Sequence, residues 1–184
     1  MDWMSGLGDL LERYTGNPAA VPHDTVEHDY DRVVQHAPTT ALQGGLADAF
    51  RSEQTPPFPQ MLGKMFGNSG GQQKAGILNM LIGMLGPQIL SSILNRQGGG
   101  AGGGGGILSD ILNGRKTTVT PEEAEQIDPA TVEDIAAEAE QKDPSVVDQV
   151  SGFYAEHPAL VKGLGVAALA FLMSRLSGGG PFGR

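Results

Sequence analysis

The stretch QGGGAGGGGG at residues 97–106 separates two parts of the chain that both carry helical patterns. None of these ten residues offers a sizeable apolar side chain for burial. Glycine also loses more backbone entropy on ordering than any other residue, so such a run is typical of a flexible tether. The sequence therefore predicts an all-α protein of two small helical modules joined by a glycine-rich tether.

The segment just before this tether, residues 75–95, carries no charge and is rich in Ile, Leu and Met. Lys74 and Arg96 flank it, and its 21 residues would just span a bilayer. Asn79 is polar, however, and Gly86-Pro87 is expected to break a helix. We therefore expect a buried helix pair or a kinked helix, with an oligomer interface or a membrane-surface contact as the alternative.

Beyond the tether, the helix-start signals become sharper. Thr120-Pro121-Glu122-Glu123 combines an N-cap threonine, a proline in the first turn and a glutamate at the capping-box position. Asp128-Pro129 and Asp143-Pro144 repeat the pattern of a cap followed by proline. The next two helices are predicted to bury one stripe each: Val132, Ile135, Ala136 and Ala139, then Val146, Val150, Phe153 and Tyr154.

The last predicted helix, residues 158–176, is apolar nearly all round between Lys162 and Arg175. A helix of this kind belongs at the centre of a bundle or in a membrane, and this apolar run is too short to span. We expect the acidic helices before it to wrap it. Residues 120–177 would then fold without the N-terminal half, and Phe153→Ala would cost about 3 kcal/mol.

Before the uncharged segment, proline-containing breaks divide the chain into short amphipathic helices. Proline fixes its own φ and biases the preceding residue away from helix, so each break ends an element. The predicted apolar stripes are Trp3, Leu7, Leu10, Leu11 and Tyr14; Val26, Tyr30, Val33 and Val34; Leu42, Leu46, Ala49 and Phe50; and Met61, Leu62, Met65 and Phe66.

These patterns predict five regions. They are an N-terminal helical module (1–67), an apolar, glycine-containing helical segment (68–96), a flexible polyglycine linker (97–106), a C-terminal helical module (107–177) and a disordered tail (178–184). No strand pattern competes, since Thr117-Thr118-Val119 is the only β-leaning run.

The net charge of −9 is unevenly distributed. Residues 120–157 hold eleven acids against one lysine, whereas residues 54–119 carry a net charge of +4. No stretch combines clustered Lys and Arg with aromatic residues, so nucleic acid is not expected as a partner. The acidic charges are interpreted as solvated helix faces that keep the protein soluble. The alternative is that they attract the basic parts of the same chain or of another copy.

The chain has no cysteine, and its first residues are acidic where a signal peptide would be basic. We therefore expect a cytoplasmic protein.

The densest polar cluster is His23, Asp24, Glu27, His28 and Asp31. Most of these side chains share one face of a predicted helix, and carboxylates with histidine can hold a divalent metal. The neighbouring segment 39–53 adds only Asp48 and Glu53 as further ligands. The cluster is therefore predicted to be a solvated face.

Other polar groups also lack a catalytic context. Ser91-Ser92 and Ser109-Asp110 have no partner histidine in a nucleophile motif, and His157 is interpreted as a helix-junction residue. The GxGxxG matches in the glycine run follow no strand, so no phosphate site is expected. The sequence predicts no catalytic, cofactor-binding or metal-binding residue, no cofactor and no enzyme.

Several short runs resemble bacterial proteins of unknown function related to the YidB-like group. The runs are LADAFRS (46–52), TPPF (55–58), QKAGILN (73–79), TPE (120–122), DP (128–129) and VSGFY (150–154). The resemblance implies small helical modules of homeodomain-like type with glycine-rich linkers, and it implies no reaction.

Together these features predict a non-enzymatic interaction or self-assembly protein that uses its apolar helices to bind itself or a protein partner. The alternative is a peripheral membrane protein that inserts residues 75–95 or 158–176. A metal-dependent hydrolase built on His28 is the third hypothesis.

Overall fold

A computed structural model describes residues 7–15, 20–96 and 104–178, with the backbone alone for Leu11, Ser177 and Gly178. These residues form α-helices and no strand, so the prediction of an all-α protein is confirmed. The helices are α1 (Gly8–Glu12), α2 (His23–Val34), α3 (Thr39–Arg51), α4 (Phe58–Gly67), α5 (Gly71–Met84), α6 (Pro87–Arg96), α7 (Gly105–Leu112), α8 (Pro121–Ala124), α9 (Pro129–Lys142), α10 (Val146–Glu156), α11 (Pro158–Val161) and α12 (Val166–Gly178).

The chain forms two compact units whose bounds differ from the predicted modules. The first unit combines the described parts of Met1–Pro57 and Val147–Arg184, and the second unit is Phe58–Val146. The chain passes from the first unit to the second at Pro57-Phe58 and returns at the start of α10. Neither change of unit falls at the glycine run.

In the first unit, α12 packs against α1, α2 and α3. Helices α3 and α12 come close at Gly45, where an added Cβ atom would lie 2.6 Å from Leu172 Cδ1. The apolar stripe of α3, from Leu42 to Phe50, is buried as predicted. The last apolar helix is therefore covered by helices from the start of the chain, which corrects the expectation that the acidic helices wrap it.

In the second unit, the acidic helix α9 packs against α4, α5 and α6, while α8 packs against α5 and α7 against α6. Helices α4 and α9 approach closely at Gly63, where an added Cβ atom would lie 2.5 Å from Glu133 Cγ. Residues 120–177 therefore do not form one unit. The stripe Val132, Ile135, Ala136 and Ala139 is buried, but its partners lie before the glycine run.

The uncharged segment forms a helix pair, one of the two arrangements predicted for it. Helices α5 and α6 meet at a bend of 115°, with Pro87 as the first residue of α6. Ile77, Leu78 and Leu81 of α5 are completely buried. The Gly86-Pro87 break therefore ends one helix and begins another.

The C-terminal apolar segment is two helices and not one. Helix α11 ends at Val161, a 3-10 turn covers Lys162–Leu164, and α12 begins at Val166. Gly165 joins them with φ +85° and ψ 162°, a conformation that is essentially restricted to glycine. The break between α11 and α12 could not be predicted from the apolar composition of this segment, which is similar on both sides of Gly165.

The capping box at Thr120 is confirmed. The backbone N–H of Glu123 donates to Thr120 Oγ1 at 3.4 Å, and the Glu123 carboxylate accepts from the Thr120 N–H at 3.1 Å. Asp128 occupies the N-cap of α9 without a side-chain cap bond, and Asp143 instead accepts from the Ser145 N–H at 2.9 Å.

Three predictions fall partly outside the described residues. The flexible linker 97–106 is described only from Gly104, and α7 begins at Gly105, within the predicted linker. The predicted tail 178–184 is described only at Gly178, the last residue of α12. Trp3 of the first predicted helix also lies outside them, whereas Leu7, Leu10 and Tyr14 are buried.

Candidate functional site: a buried carboxylate and two apolar faces

The polar cluster of α2 lies on the protein surface. His23, Asp24, Glu27 and His28 are exposed. Asp31 is also exposed, and its carboxylate forms an ion pair with Lys162 Nζ at 2.6 Å. In the described residues, no group of three or more His, Cys, Asp or Glu side chains is arranged to hold a metal ion.

Asp29 is the one charged residue among the buried residues of the described chain, and it belongs to none of the clusters predicted from the sequence. Its side chain belongs to the buried face of α2, together with Val26, Tyr30 and Val33. Asp29 is three residues after Val26 and four before Val33, so helical periodicity alone places it on the apolar stripe. An acidic residue on an apolar stripe is the sequence signal that indicates a buried carboxylate at Asp29.

The partners of Asp29 come from the segment that follows α1. Tyr14 Oη donates to Asp29 Oδ2 at 3.1 Å, and Arg13 Nη1 lies 3.4 Å from the same oxygen. Tyr14 is completely buried, whereas the Arg13 side chain is 57% exposed. A buried carboxylate needs such donors, because leaving it unpaired would cost several kcal/mol, on the order of 3–5.

Two buried tyrosines keep their protons over the ordinary pH range. Burial, together with the Asp29 carboxylate, raises the pKa of Tyr14 well above its usual value. Burial and the nearby Asp31 likewise raise the pKa of Tyr30, whose hydroxyl donates to the carbonyl oxygen of Pro158 at 2.9 Å. Both hydroxyls therefore act as hydrogen-bond donors within the first unit.

Helix α5 carries an apolar face that its own unit covers only in part. Met80 and Met84 are half-buried and lie four residues apart, so they share one side of the helix. Gly83 beside them is exposed. Lys142 Nζ, which donates to the carbonyl oxygen of Met84 at 2.8 Å, brings a positive charge to the end of this methionine face.

Helix α7 carries a second such face. Leu108 is completely buried against the rest of the unit, whereas Ile107 and Ile111 are half-buried and share one flank of the helix. We call these two residues the α7 flank. Asp110, with 38% of its side chain exposed, and Arg115, with 72%, form an ion pair of 3.2 Å next to it.

The C-terminal helix, which was expected to supply an interaction surface, is buried within the first unit. The buried residues of α12 are Ala168, Leu169, Ala170, Phe171, Leu172, Met173 and Leu176. The half-buried Ile, Leu and Met side chains described in the second unit lie on α5, α6 and α7: Met80, Met84, Ile89, Ile107, Ile111 and Leu112.

The other residues considered as candidates have local roles. Ser91 and Ser92 donate to carbonyl oxygens three residues before them, at 2.7 and 2.8 Å. His157 is the N-cap residue of α11, as the prediction of a helix-junction residue requires, and its ring lies 4.8 Å from that of Phe153.

No single helix in the described residues is long and apolar enough to cross a membrane. The bent pair α5–α6 meets the length and composition requirements only when its two helices are counted together.

Comparisons with models of protein families, with curated proteins and with solved structures find no match to this chain.

Proposed function

We propose that this protein is a non-enzymatic, self-associating helical protein whose copies meet through the apolar faces of the second unit. The observation that carries the proposal is the α7 flank. Ile107 and Ile111 are β-branched apolar residues on one side of an eight-residue helix, and both remain half-buried. Membership of the YidB-like group, a bacterial source and a cytoplasmic location belong to the same proposal.

The hydrophobic effect supplies the driving force. Burying apolar surface contributes roughly 25 cal/mol per Å², so half-buried Ile and Met side chains gain when another apolar surface covers them. Ile107 and Ile111 on α7 and Met80 and Met84 on α5 form two such pairs, each with the four-residue spacing of a helix face. Completing the burial of these pairs would stabilise a complex.

Charge supports a second copy as the occupant of the α7 flank. Asp110 and Arg115 place both signs of charge next to Ile111. In a two-fold interface the same surface meets itself, so Arg115 of each copy could approach Asp110 of the other. A surface that carries one acid and one base can therefore pair its charges with those of an identical surface, and no different protein is needed.

The glycine-rich run has a place in this proposal. It joins α6 to α7 in the sequence, and α7 packs against α6. We propose that the run acts as a tether that lets the α7 flank meet a second copy. This role replaces the predicted one of joining an N-terminal and a C-terminal module.

Membrane association is the second candidate, and the bent α5–α6 pair is the observation that favours it. Lys74 in the first turn of α5 and Arg96 at the end of α6 could meet anionic headgroups, while the methionine face inserts. Ile77, Leu78 and Leu81 are completely buried in their own unit, however, so the part of α5 left for a bilayer is narrow. We therefore favour self-association.

The test compares the wild type with Ile111→Glu and with Thr117→Glu, which adds the same charge at an exposed position outside the α7 flank. Light scattering from micromolar to near-millimolar concentration should show the wild-type and Thr117→Glu masses doubling. Ile111→Glu should form markedly less dimer than these two proteins at every concentration, while keeping its helical circular dichroism. A wild type that stays monomeric throughout this range would exclude self-association.

Flotation with vesicles of anionic lipid distinguishes membrane association from self-association. Wild-type protein that stays in the soluble fraction excludes membrane association. If the wild-type protein floats with the vesicles and remains monomeric in solution, membrane association replaces self-association as the proposed function.

A further inference from the structure

The segment that contains α1 is held to the first unit by few groups. Helix α1 has five residues, far below the length at which an isolated helix is stable in water. Leu7, Leu10 and Tyr14 are buried, and α1 packs against α12. The segment is therefore ordered through its docking and not through its own helical stability.

The place where it docks has a specific polar requirement. Asp29 is 2% exposed, and the side-chain hydrogen bonds that its carboxylate accepts within the described residues come from Tyr14 and Arg13. If residues 7–15 leave, a buried carboxylate on the apolar face of α2 loses its donors. An occupant must then supply a buried hydroxyl and a cation at adjacent positions, between apolar side chains.

We infer that residues 7–15 form an exchangeable arm, which docks on α2 and α12 of its own chain or, in the same way, on those of a second copy. The second copy is the occupant that the chemistry selects, because its own Tyr14, Arg13 and Leu10 reproduce every contact. Exchange of an identical element between copies is a low-cost route to a dimer.

The geometry of the chain permits the exchange. Seven positions, 16–22, separate the end of the arm from His23, the start of α2. A connection of that length can span up to about 23 Å when extended. The arm belongs to the first unit and does not involve the α7 flank, so this inference stands apart from the proposed function.

Exchange has a distinctive energetic signature. Two exchanged arms make the same contacts as two arms docked on their own chains. Weakening the Tyr14–Asp29 bond therefore leaves the fraction of exchanged dimer nearly unchanged. It lowers the barrier to undocking, however, because the bond must break before the arm can move.

The experiment is energy transfer between two labelled batches of the full chain. The chain has no cysteine, so Asp9→Cys on α1 carries a donor in one batch and His28→Cys on α2 carries an acceptor in the other. Both positions are exposed. Both batches also carry Ile111→Glu, so transfer through the α7 flank is removed and failure of the proposed function does not affect the result.

We expect transfer between chains to appear after mixing and to reach a plateau. Tyr14→Phe should speed its appearance roughly tenfold to a hundredfold, since a hydrogen bond to a charged group is lost. Arg13→Ala should have a smaller effect, because this side chain is largely exposed. Glu12→Gln, an exposed arm residue that does not bond to Asp29, should match the parent.

Two results would overturn the inference. One is the absence of transfer between chains at near-millimolar protein. The other is transfer that appears at the same rate in Tyr14→Phe and Glu12→Gln.

Discussion

The two units are built from the chain in different ways. The second unit is one continuous stretch, Phe58–Val146, whereas the first combines two stretches that this insertion separates. Long-range polar contacts join the stretches of the first unit. Lys162 pairs with Asp31 at 2.6 Å, and Arg51 pairs with Asp148 through two bonds of 2.8 Å.

The comparison shows that helical signals and unit membership are separate properties of a sequence. The glycine run at 97–106 is the most evident interruption, yet it lies inside the sequence range of the second unit. Closing a long loop costs only (3/2)RT ln n, so a distant partner with a matching apolar face can prevail over a near one. For this reason α12 packs against α3, and α9 packs against α4, although each pair is distant in the sequence.

The largest loss of structure is expected when the chain is divided into fragments. Residues 58–146 contain all partners of α9 that define the second unit, so this fragment should fold and melt cooperatively. A fragment of residues 115–184 should be mostly unfolded, because it lacks α1–α3 and α4–α7. Circular dichroism checks both, and cooperative melting of 115–184 would contradict the division into units.

The next effect concerns two adjacent aromatic residues of α10. Tyr154 is completely buried and Phe153 is half-buried, which corrects the prediction that both belong to the core stripe. Tyr154→Ala should lower the free energy of unfolding by about 3–5 kcal/mol, as for other buried aromatics. Phe153→Ala should cost less than about 2 kcal/mol. Urea denaturation of both variants measures the difference, and equal losses would contradict the assigned burial.

Glycine-to-alanine substitutions compare the close helix contacts of the two units. Gly45→Ala should destabilise by about 1–3 kcal/mol, because the new Cβ meets Leu172, which is buried in the core. Gly63→Ala should stay within about 1 kcal/mol of wild type, since the half-buried Glu133 side chain can rotate away.

Gly44 provides the matched control for Gly45. It lies in the same helix with open space around it, so Gly44→Ala should stabilise by about 0.5–1 kcal/mol. Thermal melts of the three variants test the order. A Gly45→Ala protein as stable as Gly44→Ala would show that α3 and α12 are not closely packed.

The smallest effect is the pH dependence of the Arg51–Asp148 pair. The hydrogen bond from Arg51 lowers the pKa of Asp148, so the pair stabilises the folded state above the unfolded pKa and is lost as pH falls through the folded one. Asp148 is 51% exposed, which limits the contribution to well under 1 kcal/mol. Arg51→Ala should therefore be slightly less stable than wild type at pH 7 and equally stable near pH 2. A difference that persists at low pH would contradict this assignment.

Much of the local structure could be predicted from the sequence. The stripe of α4, Met61, Leu62, Met65 and Phe66, is completely buried as its spacing indicates. Thr120 and Glu123 form the predicted capping box, and Gly86-Pro87 separates two helices. Each of these signals acts within one or two helical turns, so it does not depend on distant residues.

The candidate sites were less accessible from the sequence. Asp29 was grouped with none of the predicted clusters, because its role appears only when Tyr14 is placed beside it. The α7 flank begins directly after the predicted linker, whose last two glycines start α7 against their intrinsic preference. Packing against α6 outweighs that preference.

The sequence by itself determined that this protein is helical, where most of its helices begin and end, and which side of each helix is apolar. The tertiary structure alone decided that α12 belongs with α1–α3 and α9 with α4–α6. The physical reason is that the hydrophobic effect is non-directional. An apolar stripe specifies that a helix must be covered, whereas close contacts such as Gly45 against Leu172 decide which helix covers it.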